Sequence, residues 1–170
     1  MKTQIRFFAL TVILIGLSTS LFAQVSATSS SSATIVTPIT IAKTADINFG
    51  NVAINTIAGT VVLTTAGSRT STGGVTLPAV AGTVTAASFN VTGAANYTYS
   101  ITLPGSATTL TSGANSMTAS TFTSNPATTG TLNGSGTQTV KVGATLNVSA
   151  SQAAGSYTSS TPFTVTVNYN

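Results

Sequence analysis

The stretch Pro162-Phe163-Thr164-Val165-Thr166-Val167-Asn168-Tyr169-Asn170 carries the strongest structural pattern in the sequence. In this stretch every second residue is large and apolar, and these residues are Phe163, Val165, Val167 and Tyr169. Thr and Asn lie between them. A period of two places the apolar side chains on one face of a strand and the polar ones on the other. β-branched and aromatic residues suit such a half-buried surface. The stretch predicts a strand that runs to the last residue and either packs into its own sheet or is available to a partner.

The same alternation recurs in short segments separated by Gly and Pro. It is clearest over Tyr97–Leu103 and again from Val140 to Val148, where Gly143 indicates a bulge or bend. The alternation changes phase between Val84 and Ala87, which indicates a bulge or a corner. We expect Gly67–Gly74 to be a turn that holds Arg69.

Helical spacing of apolar residues is absent after the N-terminal region, so an all-β, antiparallel sandwich or barrel is expected. We favour a sandwich, because the phase changes resemble corners at which strands switch sheets. The segments are too unevenly spaced for a β-solenoid.

The N-terminal region has the features of a secretory signal peptide over residues 1–23. Lys2 and Arg6 precede an apolar run from Phe7 to Leu17, which is shorter than the roughly 20 residues that span a bilayer. Cleavage is expected after Ala23, with Ala27 as the second option. The protein is therefore predicted to be exported, with no integral membrane segment after cleavage.

Behind the signal we expect a flexible Ser-rich leader over residues 24–32 and a single β-sandwich domain over residues 33–170. Ile35, Ile39 and Ile41 share one phase within 33–41, and Pro38 confines this segment to a sheet edge or a break. Two interpretations stay open for 33–41. It is an ordinary first strand, or it is a donor strand that completes the sheet of another subunit.

Chemistry-bearing residues are scarce. The sequence has no His and no Cys, and Asp46 is its one acid. Paired carboxylates, a Ser–His–Asp triad and thiolate or imidazole metal sites therefore cannot be assembled, and one carboxylate is too few for tight calcium binding. We expect no catalytic residues, no cofactor and no metal, so the protein is predicted not to be an enzyme. Three cations after residue 23, Lys43, Arg69 and Lys141, cannot form a nucleic-acid footprint.

Surface composition leaves a second class of function open. Thr, Ser, Asn and Gly must cover most of the surface, and an uncharged surface offers little resistance to close association. A monomeric secreted module that binds glycans or ice through a Thr-rich sheet face is the alternative to a structural subunit. Tyr97 and Tyr99 share a face and suit sugar stacking or, as the more ordinary interpretation, core packing.

Six segments together resemble the bacterial family called domain of unknown function 4402, over nearly the whole chain after the signal. They are Ile47–Gly50, Gly73–Pro78, Phe89–Gly93, Tyr99–Pro104, Val142–Leu146 and Phe163–Tyr169. That family is in turn similar to spore-coat-U and archaic chaperone–usher pilin subunits, although the cysteine pair common in pilins is absent here.

The resemblance implies an Ig-like, Greek-key β-sandwich that passes through the periplasm to the cell surface or the extracellular space. It implies a fimbrial, adhesive role, with self-association or related subunits, and a periplasmic chaperone, as partners. Carried over by position, the final strand that pairs with a chaperone would contain Phe163, Val165, Val167 and Tyr169. Gly155 would be the glycine upstream of that strand. Ile35, Ile39 and Ile41 would belong to the donor segment or the first strand.

Overall fold

The structure is a computed structural model that describes residues 24–170, so the predicted signal peptide lies outside the described residues. The described residues form thirteen strands. Their bounds are β1 Thr40–Ala45, β2 Asn48–Phe49, β3 Ala53–Leu63, β4 Arg69–Thr76, β5 Val84–Thr85, β6 Ala87–Thr92, β7 Thr98–Thr102, β8 Thr108–Ser112, β9 Asn115–Asn125, β10 Thr129–Thr131, β11 Thr137–Val148, β12 Thr158–Ser159 and β13 Thr166–Tyr169.

Residues 36–170 form one compact unit, and residues 24–35 are exposed and contain no strand. Every paired strand in the unit is antiparallel, which confirms the expectation of an all-β antiparallel protein. Residues 24–170 contain no helix of the length and hydropathy needed to cross a membrane.

The long strand β11 organises the large, eight-stranded sheet. Its first half pairs with β6, where Val140 lies opposite Phe89, and its second half pairs with β3, where Leu146 lies opposite Val61. The other edge of β11 pairs with β9. The predicted alternation holds along the whole strand, because the even-numbered residues from Val140 to Val148 are all buried.

A smaller sheet holds the C-terminal stretch. Its strand order is β10-β7-β13, and Val167 and Tyr169 of β13 lie opposite Ile101 and Tyr99 of β7. β2 and β5 form a separate two-stranded sheet. The predicted final strand is therefore present and packed, although it begins at Thr166 and Phe163 precedes it.

Two hydrophobic clusters fill the unit. The first cluster joins side chains of the large and small sheets: Ala87, Phe89, Val91, Tyr99, Ile101, Leu132, Val140, Val142, Val165 and Val167. The second cluster lies under the far half of β11: Phe49, Val61, Leu63, Val75, Ala119, Ala144, Leu146 and Val148. Ile47 and Phe122 pack against both clusters, so the two are continuous.

The sequence predicted two irregularities, one from the phase change between Val84 and Ala87 and one from the glycine at position 143. Val84 lies in the two-stranded sheet and Ala87 begins a strand of the large sheet, so the phase change between them is a corner. The irregularity expected at Gly143 is a bulge on the neighbouring strand β9, where Thr121 has a φ of 51°. Gly143 itself is required because a Cβ there would collide with the carbonyl oxygen of Leu63.

Three sequence-based expectations were wrong in detail. The strand expected over 33–41 begins only at Thr40, and β1 continues to Ala45. The turn expected over Gly67–Gly74 is shorter, because Arg69 already begins β4, opposite Leu63. Tyr97, expected to point inward with Tyr99, is 46% exposed, because β7 begins at the next residue.

Candidate strand-pairing site

The outer edge of β13 is the first part of the candidate site. The amide of Asn170 donates to the carbonyl of Thr98 at 3.4 Å, so the even-numbered residues of β13 face β7. Main-chain groups alternate in direction along an antiparallel strand, and those of Val167 and Tyr169 therefore point away from β7. Within residues 24–170 no strand pairs with this outer edge of β13.

The second part of the site is β1, the edge strand of the large sheet. β1 pairs only with β6, and its Cα atoms come within 8 Å of those of β13. Ile39 and Ile41 are partly buried and pack against the first cluster. We call the outer edge of β13 together with β1 the open seam, because two sheet edges border the first cluster there without pairing with each other.

A tyrosine closes one end of the open seam. The hydroxyl of Tyr169 accepts a hydrogen bond from the amide of Ala94 at 2.6 Å and donates one to the carbonyl of Thr37 at 2.8 Å. Its ring packs edge-on against Tyr97, with centroids 5.6 Å apart. Gly93 is required beside this ring, since a Cβ there would collide with the Tyr169 hydroxyl. The last strand is thereby tied to the segment that leads into β1.

Aromatic packing secures the other end of the final stretch. The ring of Phe163 lies 4.8 Å from that of Phe122 and 6.4 Å from that of Phe89, measured between centroids. Aromatic pairs at these distances stabilise beyond their buried area. Val165 and Val167 are 7% and 8% exposed, so the inward face of this stretch is fixed by core packing.

The structure brings most of the predicted pairing residues to the open seam. Those that lie there are Ile39, Ile41, Phe163, Val165, Val167 and Tyr169. Gly155 lies instead beside Ser112, at the end of β8 in the large sheet. Ile35 is 97% exposed, outside any strand. Thr37 and Ala94 were missed, because both contribute main-chain groups, which no residue type identifies in a sequence.

Charged side chains contribute little around the open seam. The Lys43 ammonium of β1 pairs with Asp46 at 2.6 Å, and both side chains are more than half exposed. Beneath the seam the Tyr99 hydroxyl donates to Oε1 of Gln138 at 2.7 Å, and burial raises the pKa of this tyrosine. Among residues 24–170 no group of three or more His, Cys, Asp or Glu side chains comes together.

The outer edge of β13 lacks the charges, prolines and bulges that protect other sheet edges from unwanted pairing. Proteins blunt edges with such features or with very short strands. β1 carries Lys43 and a register shift beside it, β4 carries Arg69 and two successive glycines, and β10 and β12 have three and two residues. β13 has four residues, and it is uncharged and without a register shift. This arrangement can receive main-chain hydrogen bonds from an added strand.

Fold and site define an antiparallel, all-β protein in which an unpaired, uncharged sheet edge lies over the core. The chain belongs to the family described as Domain of unknown function (DUF4402), which matches residues 39–169. The match begins one residue before β1 and ends with β13, so it includes both borders of the open seam. Searches of the curated proteins and of the solved structures found no match.

Proposed function

We propose that this protein is a non-enzymatic structural subunit of a fimbria-like assembly, and that subunits join by β-strand complementation at the open seam. In this proposal an extended segment of a second copy pairs with the outer edge of β13. The observation that carries the proposal is the unprotected edge itself. Val167 and Tyr169 present main-chain groups that no other strand among residues 24–170 engages.

Residues 33–35 are the proposed donor segment, and residues 24–32 are the flexible leader before it. All of residues 24–35 are exposed and form no strand, and the large apolar side chain of Ile35 is 97% exposed. An apolar residue on an arm of Ser, Thr and Ala has no packing role in its own subunit. In the second subunit it would enter the first cluster between β1 and β13, where backbone pairing supplies affinity and the side chain supplies register.

The proposed fold within the all-β class is an Ig-like, Greek-key sandwich of the pilin type. Packing of β6 and β11 against β7 and β13 in the first cluster supports two facing sheets. Export through the periplasm to the cell surface or beyond is part of the proposal, as are adhesion and a periplasmic chaperone that occupies the seam before assembly. Scarcity of ionisable side chains supports a role without catalysis.

Substitution on the donor segment tests the proposal. Ile35→Asp places a charge where the partner's apolar cluster must receive the side chain, so assembled species should be lost in size-exclusion chromatography of concentrated protein. Val25→Asp is the matched control, because Val25 is 93% exposed on the same arm. This control should leave assembly unchanged, since Val25 lies ten residues earlier and outside the predicted donor segment.

Equal assembly of the Ile35→Asp and Val25→Asp variants, or a parent protein that stays monomeric at high concentration, would overturn the proposal. A monomeric parent would favour the alternative of a secreted binding module. Deletion of Gln24–Thr37 is a less specific test, because it also removes the carbonyl of Thr37 that receives the Tyr169 hydroxyl.

A further inference from the structure

An open groove of about 540 Å³ lies across the far half of the large sheet, on strands other than those of the open seam. Asn147 near the end of β11 and Ser149 just after that strand form its floor, and residues of β3 and β9 form its sides. Thr60, Thr118 and Asn147 alternate with the buried residues Val61, Ala119 and Leu146. Their side chains therefore point to the face opposite the second cluster.

Strand register aligns these polar residues in one row across five strands. Thr60 lies opposite Thr72 and Asn147, and Thr118 lies opposite Asn147 and Thr109. The Oγ1 atoms of Thr60 and Thr72 are 2.7 Å apart and share a hydrogen bond. The row is therefore ordered by its own cross-strand contacts, and the groove crosses its middle.

Asn147 presents an acceptor to the groove. Its Nδ2 donates to the carbonyl of Thr118 at 3.2 Å and to Oγ of Ser120 at 2.9 Å, both on the β9 side. A carbonyl oxygen only accepts, so the atom on the β9 side is Nδ2, and Oδ1 is the amide atom that faces away from these partners. No donor among residues 24–170 hydrogen-bonds to Oδ1 of Asn147, although this side chain is only partly exposed.

The lining of the groove is uncharged. Lys141, the one cation on β11, lies six residues from Asn147, roughly 20 Å along the strand. The Arg69 guanidinium is held by the carbonyls of Phe49 and Asn51. An anionic ligand would meet no counter-charge here. Met117 and Val148 give the lining an apolar part, but a wholly apolar ligand would strip water from the hydroxyls of Thr60 and Thr118 without replacing their hydrogen bonds. Sugar hydroxyls both donate and accept, as the Thr and Ser side chains do.

We propose that this groove binds a short neutral oligosaccharide, with Asn147 Oδ1 accepting from one sugar hydroxyl and Thr60, Thr118 and Ser149 engaging its neighbours. The volume lies within the range of roughly 300–1,000 Å³ typical of small-molecule sites. The site is independent of strand complementation, because it uses neither β1 nor β13.

Titration of the isotopically labelled protein with uncharged trisaccharides, followed by NMR, tests the proposal. The probes are maltotriose, cellotriose, mannotriose and N-acetylchitotriose, with tri-galacturonate as the anionic comparison. At least one neutral probe should shift the amides of Thr60, Thr118, Asn147 and Ser149 at millimolar concentration, and tri-galacturonate should not. Asn147→Ala should raise the dissociation constant about tenfold, the effect of one lost hydrogen bond.

Asn90→Ala is the matched control, because Asn90 is a partly exposed residue on the same sheet face, on β6 and opposite Thr139. It should leave binding unchanged. Ala58→Arg fills the groove from an exposed position without removing any hydrogen bond, and it should abolish binding even if Asn147→Ala proves unstable. Absence of shifts with every neutral probe, shifts outside the groove, equal response to tri-galacturonate, or full binding by Ala58→Arg would each overturn the proposal.

Discussion

At the scale of single residues, Tyr169 connects three separate parts of the chain. Its hydroxyl joins the loop after β6, through Ala94, to the segment before β1, through Thr37. Its side chain is partly buried and packs against the first cluster. A hydrogen bond between residues distant in sequence is made only in the folded state, whereas a bond within one loop can persist in the unfolded chain and so contributes less to stability.

Tyr169→Phe should lower the free energy of unfolding by about 1–3 kcal/mol, because the partly buried amide of Ala94 loses its acceptor while the ring keeps its packing. Urea denaturation measures the change. Tyr157→Phe is the control. The Tyr157 hydroxyl also makes two hydrogen bonds, but its partners Gln152 and Ala153 lie within the same loop. An equal loss in both variants would contradict the importance of the long-range contact.

At the scale of elements, the bulge in β9 allows one strand to serve both clusters. Ala119 is buried in the second cluster, and Phe122, of the opposite phase, packs against both clusters. The extra residue that makes this possible is Thr121, with a φ of 51°. The left-handed conformation is unfavourable for a β-branched residue, so the backbone is strained at Thr121. This strain accompanies the bulge that turns Phe122 toward both clusters.

Thr121→Gly should therefore raise the free energy of unfolding by about 1 kcal/mol, since the left-handed conformation costs other residues about 1–2 kcal/mol and the side chain is exposed. Thr123→Gly, two residues later in the regular strand opposite Gly143, should lower it by about 0.5–1 kcal/mol. Chemical denaturation of both variants checks the opposite signs. A loss of stability in both would show that Thr121 is not strained.

At the scale of the whole molecule, the dependence of stability on pH is simplified by the scarcity of titratable groups. Burial raises the pKa of Tyr99 above its ordinary value of 10.0. The unfolded chain then loses this proton at a lower pH than the folded protein does. Stability contributed by the neutral hydroxyl is complete below pH 10 and is lost as the pH rises through the higher pKa of the folded state.

The free energy of unfolding should accordingly fall above about pH 10, by at most about 1.4 kcal/mol per pH unit from this group. Tyr99→Phe should remove that part of the slope, measured as the difference between variant and parent across alkaline pH. Tyr97→Phe is the control, because Tyr97 is 46% exposed, and it should retain the slope. Identical alkaline profiles for the parent and Tyr99→Phe would refute the assignment.

The sequence by itself determined the class of the fold and most of its inward-facing residues. Alternation is a local property, so Val140 to Val148 and Phe163 to Tyr169 identify their buried faces before any partner strand is known. A phase change likewise predicted the corner near Val84, and the glycine at position 143 predicted an irregularity that the structure places on the neighbouring strand β9. The family resemblance is confirmed over residues 39–169. Composition also limited the possible chemistry, because no site can use the His and Cys side chains that the sequence lacks.

Only the tertiary structure decided which strands are neighbours and which edges stay unpaired. Pairing joins residues far apart in sequence through main-chain groups, and these groups are the same at every position. The contact between Tyr169 and Thr37, and the bulge on β9 rather than at Gly143, therefore left no local signal. The row from Thr72 to Thr109 depends on register across five strands, which alternation within a single strand does not specify.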